Sequence, residues 1–285
     1  MNEADFTALT TELRPEIHRY CARLLGSVLD GEDVVQDAFV QALAALPTLD
    51  AETPVRPWLF RIAHNRAIDV LRGRAIRKSE PIDAAMSAVD SEPGPEEAVL
   101  RQEALATAIT RFNELPVLQR SVVILKDVLG QSLAEIGELL SVSIDAVKGH
   151  LARGRARLRE INAAHLPPAK VPEVSRQTAR YVSLFNLRDW DGLRALLAED
   201  VALLQSTYPL RRGQADVGQF FTMYAQWPQI RIASAWLDGS EVIAVFDDES
   251  GSDVEKPGYF MRLEWSGDRI TLIRDYRYVR YVACP

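Results

Sequence analysis

Cysteine is scarce in this chain. The 285 residues contain two cysteines, Cys21 and Cys284, which lie near opposite ends of the sequence. A disulfide framework or a zinc site needs more partners at close spacing, so neither is expected. A reducing compartment fits this composition. The sequence therefore predicts a cytoplasmic protein without a metal or a cofactor.

Long hydrophobic runs are also missing. No stretch approaches the ~20 consecutive apolar residues that a membrane-spanning helix needs. Residues 1–11 carry acidic side chains and no basic segment, which is unlike a secretory signal. We therefore expect no contact with a membrane.

The chain lacks an overall positive charge. Its formal net charge of −7 at first argues against binding to nucleic acid. The distribution is uneven, however. Residues 54–78 hold seven basic residues and one acid, residues 144–159 hold five and one, and residues 80–103 hold seven acids and one arginine. Phosphate binding needs local positive charge, so two basic patches separated by an acidic linker are compatible with DNA binding.

Helical periodicity divides the chain into domains. Apolar spacing predicts a first helix with Pro15 in its first turn and an end at Gly26, then helices over about 31–46 and 58–74. Clustered acids and prolines predict a flexible linker over 79–97. Helical spacing resumes over 98–161, and prolines mark a second linker over 162–173. The predicted domains are 1–78, 98–161 and 174–285.

The last domain has a different pattern. Helical spacing over about 174–186, 190–198 and 213–225 surrounds a short apolar run at 201–204. Four strand-like runs follow, over 230–237, 241–247, 259–265 and 270–281. Helices that precede a series of hairpin-linked strands indicate an α+β fold. The predicted fold class is therefore mostly α, followed by an α+β domain with a mainly antiparallel sheet.

A helix-turn-helix is predicted over residues 132–158. A short apolar helix precedes the turn 141–143, and Ser143 is placed to cap the next helix. Ile144, Val147 and Leu151 are expected to bury its inner face, while basic side chains project outward. Such a helix fits the major groove of DNA. The alternative is an ordinary helical hairpin with a solvated basic face.

This segment resembles region 4 of the extracytoplasmic-function sigma factors. The resemblance rests on residues 113–120 (NELPVLQR), 133–137 (LAEIG), 147–151 (VKGHL) and 153–158 (RGRARL). It implies recognition of the −35 promoter element by Ser143, Asp145, Ala146, Lys148, His150, Arg153 and Arg155. The family commonly has Thr-Val-Lys-Ser-Arg-Leu in this helix, whereas this chain has AVKGHL from Ala146 to Leu151. Gly149 costs about 1 kcal/mol of helix stability relative to alanine.

The N-terminal domain resembles region 2 of the same family. Residues 31–39 (GEDVVQDAF) are similar to the segment that binds core RNA polymerase, and they imply contacts from Glu32, Asp33, Gln36, Asp37 and Phe39. The four polar residues are expected to form an acidic edge beside an apolar stripe, which suits a basic partner helix. The alternative is a solvated helix face.

Residues 56–72 (RPWLFRIAHNRAIDVLR) are similar to the family segment that opens and recognises the −10 element. The helical spacing of Trp58 favours a core position over base stacking. Asn65 and Asp69 are expected to share a face with Arg61 and Arg72. The resemblance implies contacts to the melted −10 strand from Arg56, Trp58, Arg61, Asn65, Arg66, Asp69 and Arg72.

The C-terminal domain resembles the SnoaL-like, or nuclear-transport-factor-like, cone. The resemblance lies in the order of elements and in residues 186–193 (NLRDWDGL) and 198–201 (AEDV). It implies a curved sheet around a pocket, so a small ligand is possible. No histidine follows His165, which excludes a histidine-based catalytic dyad. Asp247, Asp275 and Arg277 are interpreted as paired surface charges rather than as cavity-lining groups.

The sequence thus predicts an alternative sigma factor that is not an enzyme. Its predicted partners are core RNA polymerase, double-stranded promoter DNA and the melted −10 strand, and its C-terminal domain is predicted to modulate activity in cis. The alternative is a DNA-binding regulator whose C-terminal cone is a small-molecule sensor or an enzyme. A repressor needs one DNA-binding module and no polymerase-docking surface, so the acidic edge together with residues 58–72 favours the sigma factor.

Overall fold

The computed structural model describes residues 3–50, 52–78, 112–163, 173–205, 210–238, 240–247, 257–277 and 279. The predicted linker over 79–97, most of the linker over 162–173, and Cys284 lie outside these residues. The described residues form two compact units, one made of residues 3–78 and 112–163 and the other of residues 173–279.

The first unit is helical in all its regular elements that the structure describes. Helices α1 to α3 come before residue 79, and helices α4 to α6 come after residue 111. Short 3₁₀ turns lie at Leu46–Thr48 and Phe112–Glu114, and one π-helical turn follows α4. The bounds are α1 Glu3–Leu25, α2 Val28–Ala45, α3 Val55–Lys78, α4 Val117–Val123, the π-helical turn Ile124–Val128, α5 Leu133–Leu140 and α6 Ile144–Ala163.

The first two helices begin earlier than predicted. Helix α1 starts at Glu3, so Pro15 lies in its interior and its predicted place in a first turn is wrong. The apolar stripe extends upstream, because Phe6 and Leu13 are buried on the same face as Ile17. Helix α2 starts at Val28 because the Ser27 side chain accepts a hydrogen bond from the Asp30 N–H at 3.2 Å.

The second unit has the predicted α+β architecture. Its elements follow the order helix, helix, strand, helix and then four strands, with one short extra strand before the third helix. The bounds are α7 Arg176–Asn186, α8 Trp190–Ala195, β1 Leu197–Gln205, β2 Arg211–Arg212, α9 Gln214–Tyr224, β3 Ile230–Leu237, β4 Ser240–Asp247, β5 Tyr259–Ser266 and β6 Arg269–Asp275.

One sheet contains all the described strands. Its order is β2-β1-β6-β5-β4-β3, and only the β1–β6 pair is parallel. The prediction of a mainly antiparallel sheet is therefore confirmed. The helix predicted to reach residue 198 ends at Ala195, because the chain enters β1 at Leu197. Strand β6 ends at Asp275, and the rest of its predicted length to Tyr281 is mostly outside the described residues.

Each unit has its own hydrophobic core. In the first unit the core residues of α1–α3 and of α4–α6 belong to one continuous cluster, which includes Tyr20, Phe60, Val122, Ile136 and Val147. Cys21 is a free thiol buried in this cluster. The second core packs α7 and α9 against one face of the sheet and is rich in aromatic side chains, such as Tyr181, Phe185, Phe220, Phe221 and Tyr224.

Candidate nucleic-acid and partner interfaces

Helices α5 and α6 form a helix-turn-helix. A reciprocal pair of hydrogen bonds caps α5: the Ser132 N–H donates to Glu135 at 2.7 Å, and the Glu135 N–H donates to the Ser132 hydroxyl at 3.2 Å. Ser141 ends the helix in the left-handed conformation, with φ 56°. Ser143 caps α6 as predicted, since it accepts a hydrogen bond from the Ala146 N–H at 3.2 Å.

Two glycines allow the close packing of this motif. A Cβ on Gly137 would lie 2.9 Å from the Val142 carbonyl oxygen, so the turn requires glycine there. A Cβ on Gly154 would lie 2.7 Å from Val123, where α6 crosses α4. Gly149 is different, because its Cβ would meet only the flexible end of Arg153 at 3.3 Å. Packing therefore does not explain the glycine at position 149.

The predicted DNA-binding face of α6 is largely exposed. Val147 and Leu151 are buried, but Ile144 is 46% exposed, so its predicted place on the inner face is wrong. Ile144 is the first residue of the helix and precedes the buried stripe, which begins at Val147. The predicted −35 contacts that lie exposed are Ser143, Asp145, Lys148, Arg153 and Arg155, and those that lie half-buried are Ala146 and His150.

Carboxylates already pair with two basic residues of this face. Lys148 lies 3.0 Å from Asp145, one turn earlier on α6. Arg155 binds Asp127 of the π-helical turn through two hydrogen bonds, at 3.0 and 2.5 Å, and this pairing raises the pKa of the arginine. Lys148 has one hydrogen bond to a carboxylate of its own helix, whereas two hydrogen bonds hold Arg155 against the π-helical turn, so Lys148 is the more available phosphate ligand of the two.

Helix α3 presents the predicted −10 residues on its outer face. Arg61, Asn65, Asp69 and Arg72 are exposed along one side, as predicted from their spacing, and Arg56 and Arg66 are also exposed. The opposite side is buried through Leu59, Phe60, Ala63 and Ala67. Trp58 is half-buried against the core, which favours the structural interpretation of this side chain.

Each exposed arginine in this set has a carboxylate partner. Arg61 lies 3.8 Å from Glu138 of α5, Arg66 lies 2.7 Å from Asp37 of α2, and Arg72 lies 3.6 Å from Asp69. Arg56 is paired with Glu16 of α1. Any anion that approaches one of these arginines meets a carboxylate beside it.

A half-buried histidine, His64, lies between α1 and α3, and sequence analysis missed it. The Tyr20 hydroxyl and His64 Nδ1 are 2.7 Å apart in the interface of α1 and α3. Burial lowers the pKa of His64 to about 4, so this imidazole is neutral at physiological pH. Its contact with Tyr20 joins α3 to the buried face of α1.

The predicted polymerase-binding edge is only partly on the surface. Glu32 is fully buried and pairs with Arg14 of α1, so its predicted exposure on an acidic edge is wrong. Asp37 is exposed, and Asp33 and Gln36 are half-buried. Phe39 is half-buried beneath the Arg14 guanidinium, 5.5 Å from the ring centroid.

Two apolar side chains on the outside of α2 extend this surface. Val40 is 67% exposed and Leu43 is 43% exposed. Val40 lies one turn and Leu43 nearly two turns beyond Asp37, so the helix presents carboxylate and apolar groups together. Val40 falls outside the apolar stripe that the sequence predicts for α2, and sequence analysis overlooked this signal.

A polar cluster lies inside the second unit. Asp275 is buried and accepts hydrogen bonds from the Gln205 side chain at 2.7 Å and from the Arg277 N–H at 3.1 Å. Its interpretation as a surface charge is therefore wrong, because alternation along β6 places it on the same face as buried Ile273. Burial raises the pKa of Asp275 to about 6.

Tyrosines complete this cluster. The hydroxyls of Tyr224 and Tyr259 are 2.7 Å apart, and both groups are buried. The buried Tyr181 hydroxyl has no hydrogen-bond partner among the described residues. The Arg277 guanidinium lies over the Trp227 ring, 4.1 Å from its centroid. The interior of the second unit therefore contains hydroxyl donors and a protonatable carboxylate.

The buried carboxyl makes the second unit sensitive to pH. Its folded-state pKa of about 6 lies above the unfolded value of about 3.9, so its stabilising contribution is present below pH ~4 and lost as pH rises to ~6. The loss corresponds to about 2–3 kcal/mol. The urea midpoint of the wild-type protein, measured by tryptophan fluorescence, should fall between pH 4 and pH 7. We expect Asp275→Asn to abolish this fall.

The exposed Asp216→Asn is the matched control and should keep the wild-type pH profile. An Asp275→Asn variant with the same pH dependence as wild type would contradict this assignment.

The first unit is similar in sequence to known proteins. The families described as Sigma-70 region 2 and Sigma-70, region 4 match residues 9–76 and 107–158. The ECF RNA polymerase sigma factor SigW of Bacillus subtilis is 33% identical over 168 residues, which cover 54% of this chain and 87% of that protein. SigG of Mycobacterium tuberculosis, also an ECF RNA polymerase sigma factor, is 26% identical over 299 residues, covering 94% of this chain and 80% of that protein.

One solved structure spans nearly the whole chain. It is the extracytoplasmic function sigma factor SigJ of Mycobacterium tuberculosis, with 18% identity, a TM-score of 0.37, and coverage of 97% of this chain and 98% of that chain. The sequence matches define a promoter-specificity subunit of RNA polymerase. The chain belongs to the extracytoplasmic-function sigma factors.

Membership of this family establishes the general function. The protein is an alternative sigma factor that binds core RNA polymerase and promoter DNA and directs transcription initiation. Among the described residues, no helix is long and apolar enough to cross a membrane.

Proposed function

We propose that the outer face of α2 docks on core RNA polymerase. Asp33, Gln36 and Asp37 supply its acidic and hydrogen-bonding groups, and Val40 and Leu43 supply its exposed apolar area. An apolar centre beside carboxylates suits a basic amphipathic partner helix. Glu32 acts indirectly in this proposal, because its pairing with Arg14 fixes α1 against α2.

We propose that α3 and α6 bind the two promoter elements. On α3, Arg56, Arg61, Arg66 and Arg72 neutralise phosphates of the −10 region, while Asn65 and Asp69 face the bases. On α6, Lys148 and Arg153 bind phosphates of the −35 region, and Ser143, Asp145, Ala146 and His150 face the base edges. Arg155 positions α6 through Asp127.

Opening DNA requires capture of unpaired bases and no covalent chemistry, so we propose that the protein is not an enzyme.

The observation that carries this assignment is the presence of three separate outer faces in one unit. Two are basic, on α3 and α6, and one is acidic and apolar, on α2. A repressor would need one of the basic faces and no docking face. Run-off transcription with purified core polymerase and the purified chain tests the assignment. Promoter-dependent transcripts are expected, and a chain that binds DNA without supporting transcription would favour the repressor.

Lys148 provides a test of the orientation of α6. We expect Lys148→Ala to weaken promoter binding and to lower the slope of log affinity against log salt by at most about 0.9, the value of one phosphate contact. The reduction falls below that limit because Lys148 first exchanges Asp145 for the phosphate. Fluorescence anisotropy of a labelled promoter duplex with the holoenzyme, at several salt concentrations, measures both quantities.

The control for this measurement is Arg180→Ala, which removes one exposed positive charge from α7 in the second unit. It should leave affinity and salt slope unchanged. Equal values for Lys148→Ala and wild type would mean that α6 binds with another face.

For the second unit we propose regulation of transcription in cis and recognition of a small molecule. The unpartnered Tyr181 hydroxyl supports ligand binding, because an unsatisfied buried hydroxyl costs about 1–3 kcal/mol and a ligand oxygen would satisfy it. The aromatic surroundings favour an apolar molecule with one carbonyl or phenol oxygen.

A phenol with a strong absorption band tests the ligand proposal. Titration of the full chain with p-nitrophenol should give a saturable spectral change, and Tyr181→Phe should weaken binding at least tenfold. Tyr20→Phe, which removes a buried hydroxyl from the first unit, is the control and should bind like wild type. Absence of saturable binding to the wild-type chain would reject this class of ligand.

A further inference from the structure

We propose that Gly149, His150 and Arg153 act together to select a keto base, guanine or thymine, in the −35 element. The Nε2–H of His150 donates to the base, Arg153 orients the imidazole, and Gly149 leaves the space in which the guanidinium lies. The inference rests on the proposed function of α6 and deepens it, because it names the group that discriminates between bases and the class of base that this group selects.

Gly149 occupies the outermost position on α6. It lies midway in sequence between Val147 and Leu151, which are both buried. At ~100° per residue, a position two residues from each of them points to the opposite side of the helix. Glycine therefore leaves the helix backbone bare at the centre of the face that is proposed to enter the DNA groove.

The guanidinium of Arg153 fills the space that a side chain at position 149 would take. A Cβ on Gly149 would lie 3.3 Å from Nη1, 3.6 Å from Nη2 and 3.8 Å from Cζ of Arg153. The three nearest atoms thus belong to one guanidinium group, which lies across the bare backbone. Glycine is less stable than alanine inside a helix, and contacts between helices do not require it here. The position of Arg153 accounts for this glycine.

Arg153 also contacts the imidazole of His150. Its Nη2 lies 3.4 Å from His150 Nδ1. A guanidinium has donors and no acceptor, so Nδ1 accepts in this contact and the imidazole carries its proton on Nε2. Arg153 therefore favours one tautomer of the ring, and the Nε2–H points away from the arginine. The other N–H groups of the guanidinium remain for the phosphate contact that is proposed above.

His150 is the side chain on this face that is best suited to discriminate by hydrogen bonding. Of the other residues proposed to face base edges, Ser143 accepts a hydrogen bond from the Ala146 N–H at 3.2 Å, and Asp145 accepts one from Lys148 at 3.0 Å. Ala146 has no polar group in its side chain. The first turn of α6 is thus engaged with its own helix, and selection by hydrogen bonding falls to His150.

A single N–H donor divides the bases into two classes. At the centre of the major-groove edge, guanine O6 and thymine O4 are acceptors, whereas adenine N6 and cytosine N4 belong to amino groups that donate. The Nε2–H of His150 binds the first pair and is left unsatisfied against the second, which costs more than a neutral contact. The family commonly has serine and arginine where this chain has Gly149 and His150, so this selection follows from the departure of the chain from the family pattern.

Competition binding of base-pair variants to the holoenzyme tests the proposal. A promoter duplex selected by the wild-type holoenzyme is changed at each position of its −35 region, one base pair at a time. We expect one position at which guanine and thymine of one strand are preferred over adenine and cytosine by at least about fivefold, the low end of the usual cost of a mismatched base pair. His150→Phe keeps a planar ring without nitrogen and should abolish this keto preference at that position alone.

Alanine at position 149 separates this role from a structural one. A Cβ displaces the guanidinium, so Gly149→Ala should lose part of the keto preference at the same position, although alanine stabilises the helix and raises the melting temperature. Gly73→Ala is the matched control, because Gly73 also lies inside a helix and a Cβ on it would meet no described atom within 4 Å. It should raise the melting temperature and leave the keto preference unchanged.

The outcomes separate this inference from the assignment of α6 to the −35 element. Base preferences that folded His150→Phe leaves unchanged, or a His150-dependent position that separates purines from pyrimidines, would overturn the inference and leave α6 as the −35 helix. An unchanged keto preference in Gly149→Ala would overturn the roles of Gly149 and Arg153. A wild-type holoenzyme without any base preference in the −35 region would reject the proposed function of α6 together with the inference.

Discussion

Reversing the charge of the α2 edge should abolish binding to core polymerase. We expect Asp33→Arg combined with Asp37→Arg to remove at least 95% of the core polymerase recovered in a pull-down with the tagged chain. Two arginines would face a basic partner and repel it, and like charges that face each other at an interface cost several kcal/mol. Asp37 is exposed, so its replacement leaves the core of the first unit intact.

The matched control reverses two exposed acids elsewhere on the same unit. Glu12→Arg combined with Glu160→Arg makes the same change in net charge on α1 and α6 and should retain polymerase binding. Circular dichroism and melting temperature establish that both double variants fold. Wild-type recovery of polymerase by a folded Asp33→Arg/Asp37→Arg variant would show that α2 docks through another face.

Removal of the second unit should increase transcription. We expect a chain that ends at Leu166 to give several-fold more run-off transcript than the full chain at equal folded concentration. The proline-rich segment after Leu166 holds the second unit at high effective concentration near the first. Residues 171–285 carry 13 basic and 16 acidic residues. This net negative charge attracts the second unit to the basic DNA-binding faces of the first unit rather than to DNA.

Adding the separate fragment 171–285 to the truncated chain distinguishes tethered from free action. At equal concentrations the fragment should restore little inhibition, because the effective concentration is lost. Equal output from full and truncated chains over a range of concentrations would exclude regulation in cis. Lower output from the truncated chain would mean that the second unit activates.

Local chemistry explains which elements were predictable. The Ser132–Glu135 capping box, the Ser143 cap and the apolar spacing of α6 are all encoded within a few residues, so the helix-turn-helix followed from sequence. The strands of the second unit were marked by alternation and short turns. Their parallel neighbour β1 was longer than predicted, because its pairing with β6 joins segments about 70 residues apart.

Long-range pairing explains the errors. Glu32 lies among exposed acids in sequence, but its partner Arg14 is on another helix, and the packing of α1 on α2 buries both carboxylate oxygens. Asp275 was within reach of sequence analysis, since it shares the alternation of Ile273.

The carboxylates that pair with Arg56, Arg61, Arg66 and Arg72 have a consequence for how promoter affinity responds to ionic conditions. When a phosphate binds one of these arginines in place of the carboxylate, cations leave the DNA. The released carboxylate then attracts a cation of its own. The net number of ions released per contact is then smaller than for an unpaired arginine. A salt titration of this protein will therefore undercount its phosphate contacts, and its promoter affinity will vary less with salt than the number of arginines on α3 implies.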